Sequence, residues 1–388
     1  MKKILFLCSN MNIGGFQKSL VNLLSYFDYS QYEVDLFLIE RNGVFENEIS
    51  TNVNIIYADE QTSAYCQTLS VSLKSLLSLK KYGLVVKRIL NAIIGYMNKG
   101  LGAVIMSKQL PNLANEYYCC IDYCGQYLNY YMIDKVSAKI KITYFHNDYA
   151  KWDYYKLTDK FYYKKADYIV TVSEHCVESL KKYFPSYSKK IKCIENIITV
   201  DTISPYLIDP QMPTEFEPNK IKLVSVGRLV QDKGTDLAIQ TCSILANEFD
   251  IQWIWVGPGN KDFYYKLAKD YGVENDFIMV GGQDNPYKYM AHADIVVHPA
   301  RFEGKAVAVE EALVMNKVIV ATNYSTAHNQ IMNGETGIIC DMNPSSIYQS
   351  VKNVINDKNL REKILNNQRL LCKGNANEIH KLYDLLKG

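Results

Sequence analysis

No stretch of the sequence stays apolar for the roughly 20 residues that a bilayer-spanning helix needs, so a multi-span membrane protein is excluded. Neither sign of charge is in excess: 43 Lys and Arg against 41 Asp and Glu leave a net +2, which argues against nucleic acid as the main partner. The ten cysteines include no C-x-x-C pair, and their one cluster, Cys119, Cys120 and Cys124, has no nearby His. Free thiols in a reducing cytosol are expected, and no metal site. No Asp-x-Asp pair occurs, which removes a common way of holding a divalent ion on a diphosphate. The lack of a G-x-x-x-x-G-K-[ST] loop removes the ordinary nucleoside triphosphatase reading. There is no internal repeat and no low-complexity tract. The most local absence is of acid: residues 61–115 hold no Asp or Glu.

What remains is a chain of 388 residues, 48% hydrophobic and 22% charged, long enough for two ordinary domains with a core each. Its basic opening is like a signal peptide only until the apolar run stops. It reads instead as a first strand, 4–8, entering the Gly14-Gly15 turn and a helix that carries Leu20, Val21, Leu24 and Phe27. Further strands are expected at 34–39, 53–57, 119–123, 140–145, 168–172 and 191–195, with Ser173 as a helix cap. Within the acid-free segment Lys74, Lys80, Lys81, Lys87, Arg88, Lys99 and Lys108 are interleaved with Leu, Val and Ile. One or two amphipathic helices with a basic edge are expected there, docked on an anionic leaflet or else forming an internal excursion with a solvated face. Pro205, Pro210, Pro213 and Pro218 mark 203–220 as a linker. Beyond it, strands at 221–226, 251–256, 277–280, 295–297, 318–321 and 337–340 alternate with helices, the pattern of a doubly wound parallel sheet. From Ser345 to Lys387 the sequence is helix-compatible.

The chemistry is concentrated in residues 294–322. Two β-branched runs flank an apolar helix, 307–315, closed by Asn316, a residue that tolerates the left-handed position. Gly304, Lys305 and Ala306 then stand at a helix N-terminus, where N–H groups without helical partners and the dipole favour an anion, most often a phosphate. Glu303 and Glu311 flank that point on one face and suit hydroxyls attached to the anion. Phosphate plus hydroxyls suggests a nucleotide sugar. Arg228 and Lys233, in GRLVQDKG after the strand 221–226, offer a planar fork and a compact charge to a diphosphate. Glu310 reads as a solvated helix residue, and Arg301 either acts at the site, to which it is near enough, or simply pairs with a carboxylate. His146, Asn147 and Asp148 end the strand 140–145, where open α/β sheets place their ligands. Gly257-Pro258-Gly259 lacks the third glycine of a dinucleotide loop and reads as a turn.

The spacing from Glu303 to Glu311, with Gly304 after the first and Ala312 after the second, resembles the donor-binding signature of the family 4 retaining glycosyltransferases of GT-B fold. Lys305 stands where that family usually has an aromatic residue, and Asn316 where it commonly has Gly. The Lys variant is similar to that of bacterial capsule and exopolysaccharide transferases. The resemblance implies two Rossmann-like, doubly wound parallel-sheet domains facing a cleft: 1–202, with 61–115 as an insertion, and 221–372, with 373–388 crossing back to the first. It implies transfer of a hexose-type sugar from a nucleoside-diphosphate sugar, UDP by preference, to a lipid-linked or surface-polysaccharide glycan, with no metal and no other cofactor. Glu303 and His146 would be the catalytic residues, Glu303 on the sugar hydroxyls or as a nucleophile, and His146 facing the donor sugar. The donor would also be held by Gly15, by Arg228 and Lys233 on the pyrophosphate, by Gln283 near the base, by Gly304, Lys305, Ala306 and Val307, and by Glu311 on the ribose. Asn147 or Asp148 would touch the acceptor. Such an enzyme would be cytoplasmic and peripheral on the inner face of the cell membrane, with 61–115 on anionic lipid. The competing readings are a nucleotide-sugar epimerase of the same fold and a non-catalytic nucleotide-sugar or membrane-binding module.

Overall fold

The computed structural model describes residues 1–208 and 211–387; Pro210 of the expected linker lies outside the described residues. The chain forms two compact units, one of residues 1–196 joined by the chain from Asn377 onward, the other Ile197–Ala376.

In the first unit the apolar runs become β1 (Lys2–Cys8), α1 (Gly15–Ser25), β2 (Tyr32–Leu38) and β3 (Val53–Tyr57). The acid-free segment follows as α2 (Glu60–Cys66), α3 (Leu69–Ser78), α4 (Tyr82–Met97) and α5 (Lys99–Ser107). Four helices stand where one or two were expected, because local stops divide the pattern. Lys80 takes a φ of 55°, a left-handed position beyond the end of α3. Asn98 follows α4 and caps α5, its Oδ1 accepting from the Leu101 N–H at 2.9 Å. The unit continues with β4 (Tyr117–Asp122), α6 (Tyr127–Lys135), β5 (Ala138–Phe145), α7 (Lys156–Tyr163), β6 (Tyr168–Thr171), α8 (Glu174–Tyr183) and β7 (Ile191–Cys193). Ser173 caps α8 as expected, accepting from the Cys176 N–H. The strands form one sheet in the order β3-β2-β1-β4-β5-β6-β7, every pair parallel. Strand order reverses between β1 and β4, which opens a crevice at their carboxyl ends.

The second unit begins at Ile197, so residues 197–202 fall in it and not in the first half. Thr199 bridges to Gly374, and the Asn375 N–H donates to the Ile198 carbonyl at 3.1 Å. After α9 (Val200–Ile203) come β8 (Ile221–Val226), α10 (Thr235–Leu245), β9 (Ile251–Val256), α11 (Lys261–Asp270), β10 (Phe277–Gly281) and α12 (Tyr287–His292). They are followed by β11 (Ile295–His298), α13 (Val307–Val314), β12 (Ile319–Thr322), β13 (Ile338–Cys340), α14 (Pro344–Asn356) and α15 (Lys358–Leu371). The parallel sheet runs β10-β9-β8-β11-β12-β13 and reverses between β8 and β11. Apolar clusters fill both of its faces, Trp253 and Val297 on one, Ile254 and Val296 on the other, as strands covered on two sides require. Asn316 has a φ of 56°, the left-handed helix stop read from the sequence.

The last helix, α16 (Glu378–Lys387), belongs to the first unit. Ile379, Leu382 and Leu386 are buried, Tyr383 stacks on Tyr32 at 5.8 Å, and its hydroxyl accepts from the Asp28 N–H at 2.6 Å.

Candidate functional site

In the second unit the switch point lies between β8 and β11, and the loops leaving those two strands carry most of the residues expected to act. Gly234 has a φ of 74°, and a Cβ there would sit 1.9 Å from the Pro299 carbonyl oxygen. Only glycine lets the turn after β8 lie against the loop after β11. The same approach brings the Lys233 ammonium to 2.5 Å from Glu303 Oε1. His298, the last residue of β11, donates from Nε2 to the same oxygen at 3.0 Å. Glu303 is 7% exposed, and its backbone carbonyl accepts from Thr326 Oγ1 at 3.2 Å. Burial pushes its carboxyl pKa up, but Lys233 and His298 more than offset this and hold it down at about 2. Glu303 is therefore an anion at any working pH. One of its oxygens is fixed by two donors, while Oε2 takes no hydrogen bond among the described residues.

Arg228 follows β8 with an exposed side chain that has no partner among the described residues, so its fork is free for an anion. A Cβ at Gly257 would meet the Gly227 carbonyl oxygen at 1.9 Å, so the glycine of the Gly-Pro-Gly loop serves to let the loops after β8 and β9 touch. Arg301 pairs with Asp236 through two 2.7 Å bonds, as a structural brace. Gln283 lies after β10, its amide donating to the Val280 carbonyl at 3.2 Å.

The start of α13 departs from the sequence reading. The Ala306 N–H, expected to await a phosphate, donates to Gln330 Oε1 at 3.0 Å, and Gln330 Nε2 donates back to the Ala306 carbonyl at 2.9 Å. The backbone of Ala306 is thereby clamped on both sides, and one of the expected anion donors is spent. Glu310 is not a solvated residue: it accepts from Gln330 Nε2 at 2.9 Å and lies 3.5 Å from the Lys305 ammonium, itself buried. Glu311 is buried and accepts the Tyr287 hydroxyl at 2.6 Å. Gly304 and Val307 flank this turn at the carboxyl edge of the sheet.

Gly15, His146, Asn147 and Asp148 belong to the first unit and stand at the carboxyl ends of β1 and β5. Gly15 is exposed at the first turn of α1, and the neighbouring Phe16 ring stacks on His146 at 6.0 Å. His146 Nε2 donates to the Tyr123 carbonyl at 2.9 Å, and burial holds its pKa down at about 4, so the ring is neutral. Its Nδ1 is then a buried acceptor with no partner among the described residues. Asp148 already has partners within its own unit. Its carboxylate caps the turn that follows through the Ala150 N–H at 3.0 Å and takes bonds from Ser179 and His175, which leaves it committed inside the unit. Asn147 keeps its side chain free among the described residues.

His298 and Gln330 are the residues that sequence reasoning passes over. For His298 a signal existed, a strand-end position five residues before Glu303. For Gln330, 24 residues beyond Ala306, none did.

Residues 211–371 match the family model described as glycosyl transferases group 1. The match covers about two fifths of the chain and lies wholly within the second unit. It contains Arg228, Lys233, Gln283, His298, Glu303 and Glu311. A Campylobacter jejuni N-acetylgalactosamine-N,N'-diacetylbacillosaminyl-diphospho-undecaprenol 4-alpha-N-acetylgalactosaminyltransferase is 28% identical over 233 residues, 58% of this chain and 62% of its own length. CapM, a capsular polysaccharide biosynthesis glycosyltransferase of Staphylococcus aureus, is 26% identical over 152 residues, 37% of this chain and 39% of its own. The chain thus spans less than two thirds of the length of the curated relatives it matches. Among solved structures, Anabaena Alr3699/HepE in complex with UDP-glucose aligns with a TM-score of 0.72 at 15% identity over 100% of both chains. TarM of Staphylococcus aureus, in complex with UDP among other ligands, aligns with a TM-score of 0.73 at 14% identity, again over 100% of both. The two parallel-sheet units and these neighbours give the chain the GT-B fold.

Proposed function

We propose that the chain is a retaining glycosyltransferase that moves a hexose-type sugar from a nucleoside diphosphate, UDP by preference, to a lipid-linked or surface-polysaccharide glycan without a metal. The observation that carries this reading is the Glu303 carboxylate at the switch point of the second unit, one oxygen locked by Lys233 and His298 and the other open. The UDP and UDP-glucose held by structural neighbours support the choice of nucleotide, and the diphospho-undecaprenol and capsular relatives support the acceptor class.

In this reading Glu303 Oε2 accepts a donor-sugar hydroxyl, and Arg228, Lys233 and the head of α13 take the diphosphate. As the bond from the anomeric carbon to the β-phosphate oxygen breaks, negative charge grows on the leaving group, where fixed cations act most strongly. The acceptor oxygen bonds to the same face of that carbon, and its proton passes to the departing phosphate oxygen. Glu311 holds the ribose, Gln283 lies by the base, and His146 Nδ1 accepts from a sugar hydroxyl. In the first unit Gly15 remains for the donor and Asn147 for the acceptor. Residues 61–115 keep the enzyme peripheral on the cytoplasmic face of the membrane.

The test is release of nucleotide from UDP-, GDP- and dTDP-sugars, with and without EDTA. One UDP-sugar is expected to turn over unaffected by EDTA, and Glu303→Ala and Lys233→Ala are each expected to lose at least about a hundredfold, the scale of losing a group that acts on the transition state. Unchanged turnover in both variants would sink the reading. Recovery of an isomerised UDP-sugar would replace it with the epimerase, and an inverted product anomer by NMR would end the retaining assignment.

A further inference from the structure

The helix α4 is built inside out for a protein surrounded by water. Its buried residues are Arg88 and Asn91, while Val86, Ile89, Leu90, Ile93, Tyr96 and Met97 are exposed, Tyr96 at 92% and Met97 at 81%. These six follow the helical repeat and so form one stripe along the helix. The burial of Arg88 is a designed one: its Nε donates to the Tyr65 carbonyl and its Nη2 to the Gln67 carbonyl, each at 3.0 Å. Below, α4 is seated on α5 at a glycine crossing, where a Cβ on Gly102 would come within 2.6 Å of the Gly95 Cα. The apolar stripe is therefore held outward by the Arg88 bonds and the glycine crossing on the inner side, and is not a face awaiting a partner within its own unit.

A contiguous exposed apolar stripe marks an interaction surface, and the charges around it select the partner. Lys74, Lys80, Lys81 and Lys87 are exposed, and no carboxylate occurs between residues 61 and 115. A second copy docked by this face about a twofold axis would set lysine against lysine. A bilayer with anionic headgroups offers acyl chains to the stripe and phosphates to the lysines, whose stems can lie along the apolar surface while their heads reach the headgroups. A helix of 16 residues is about 24 Å long, short of the roughly 30 Å hydrocarbon core, and no helix among the described residues is long and apolar enough to cross a membrane. We infer that α4 lies in the plane of an anionic bilayer surface and inserts its Val86-to-Met97 face among the acyl chains. This deepens the membrane partner of the transferase reading, from electrostatic adsorption to insertion by named residues, and rests on that reading for its purpose only.

The full chain is mixed with phosphatidylcholine vesicles carrying phosphatidylglycerol and, separately, with phosphatidylcholine alone. Cosedimentation at least tenfold stronger with the first is expected. In a Tyr96→Trp variant, emission should shift to the blue relative to the unsubstituted chain and be quenched by acyl-brominated lipid. Ile93→Asp should lose at least tenfold in cosedimentation at a nearly unchanged melting temperature, because Ile93 is more than half exposed. Full binding by Ile93→Asp, or binding without quenching, overturns the insertion. So does self-association of the wild-type chain that Ile93→Asp abolishes while no vesicles are bound. Nucleotide release is measured in parallel without vesicles: its failure refutes the transferase reading, and the vesicle arms still decide the surface.

Discussion

At the scale of single residues, the candidate site centres on Glu303, and one oxygen of Glu303 is oriented by His298, whose ring also packs edge-on against Tyr324. His298 is a positioning residue: a hydrogen bond to a charged group contributes about 1.5–3 kcal/mol, which is roughly 10- to 100-fold in rate when the oriented carboxylate is what the transition state needs. His298→Phe is expected to lower kcat for donor turnover by about that factor with donor KM changed less. His298→Gln should recover part of it, because its amide can donate to the same oxygen; equal loss in the two variants would speak for mere packing. His146 gives a pH signature. Its pKa falls from the usual 6.5 to about 4 on burial, so the unfolded chain binds the extra proton first. Stability should then decline as pH drops from about 6.5 toward 4, and a thermal melt series of His146→Gln should show a flatter decline over that window. The two carboxylates, Gly304 and the Arg228, Lys233 pair could be read from the sequence, because spacing about a helix start is a local property. That Asp148 is consumed by Ser179 and His175, or that Glu310 serves Lys305 and Gln330, could not, since those partners come from other elements.

At the scale of elements, the strands announced themselves as short apolar runs, and β3, β8 and β9 run over 53–57, 221–226 and 251–256 as the sequence reading has them. The acid-free segment did not, because its breaks depend on single residues such as Lys80 and Asn98. Its most telling property, the exposure of apolar residues and burial of Arg88, is invisible to composition: an amphipathic pattern says that two faces differ, not which one meets solvent. The last helix shows how much one element can carry. Burying Ile379, Leu382, Leu385 and Leu386 contributes on the order of 6 kcal/mol or more at about 1.5–3 kcal/mol per side chain, a large share of a typical domain's 5–15 kcal/mol. Deleting residues 377–388 should therefore lower the melting temperature of the first unit by many degrees or abolish its soluble expression; a truncated chain melting like the intact one would show that α16 contributes little.

At the scale of the whole molecule, the sequence by itself determined that there are two doubly wound α/β units and that the candidate site residues stand at the carboxyl ends of strands. Alternation of buried strand and helix is written along the chain, and parallel strands joined by crossovers must leave their loops at one edge. It also determined the acid-free segment, which is composition and nothing more. Only the tertiary structure decided that the chain changes units at Ile197 and returns to the first at Asn377, because which unit a segment joins depends on pairings such as Thr199 with Gly374, made across more than a hundred residues. It alone decided that Lys233 and His298 converge on one oxygen of Glu303, since that needs two loops from adjacent strands pressed together where Gly234 has no side chain.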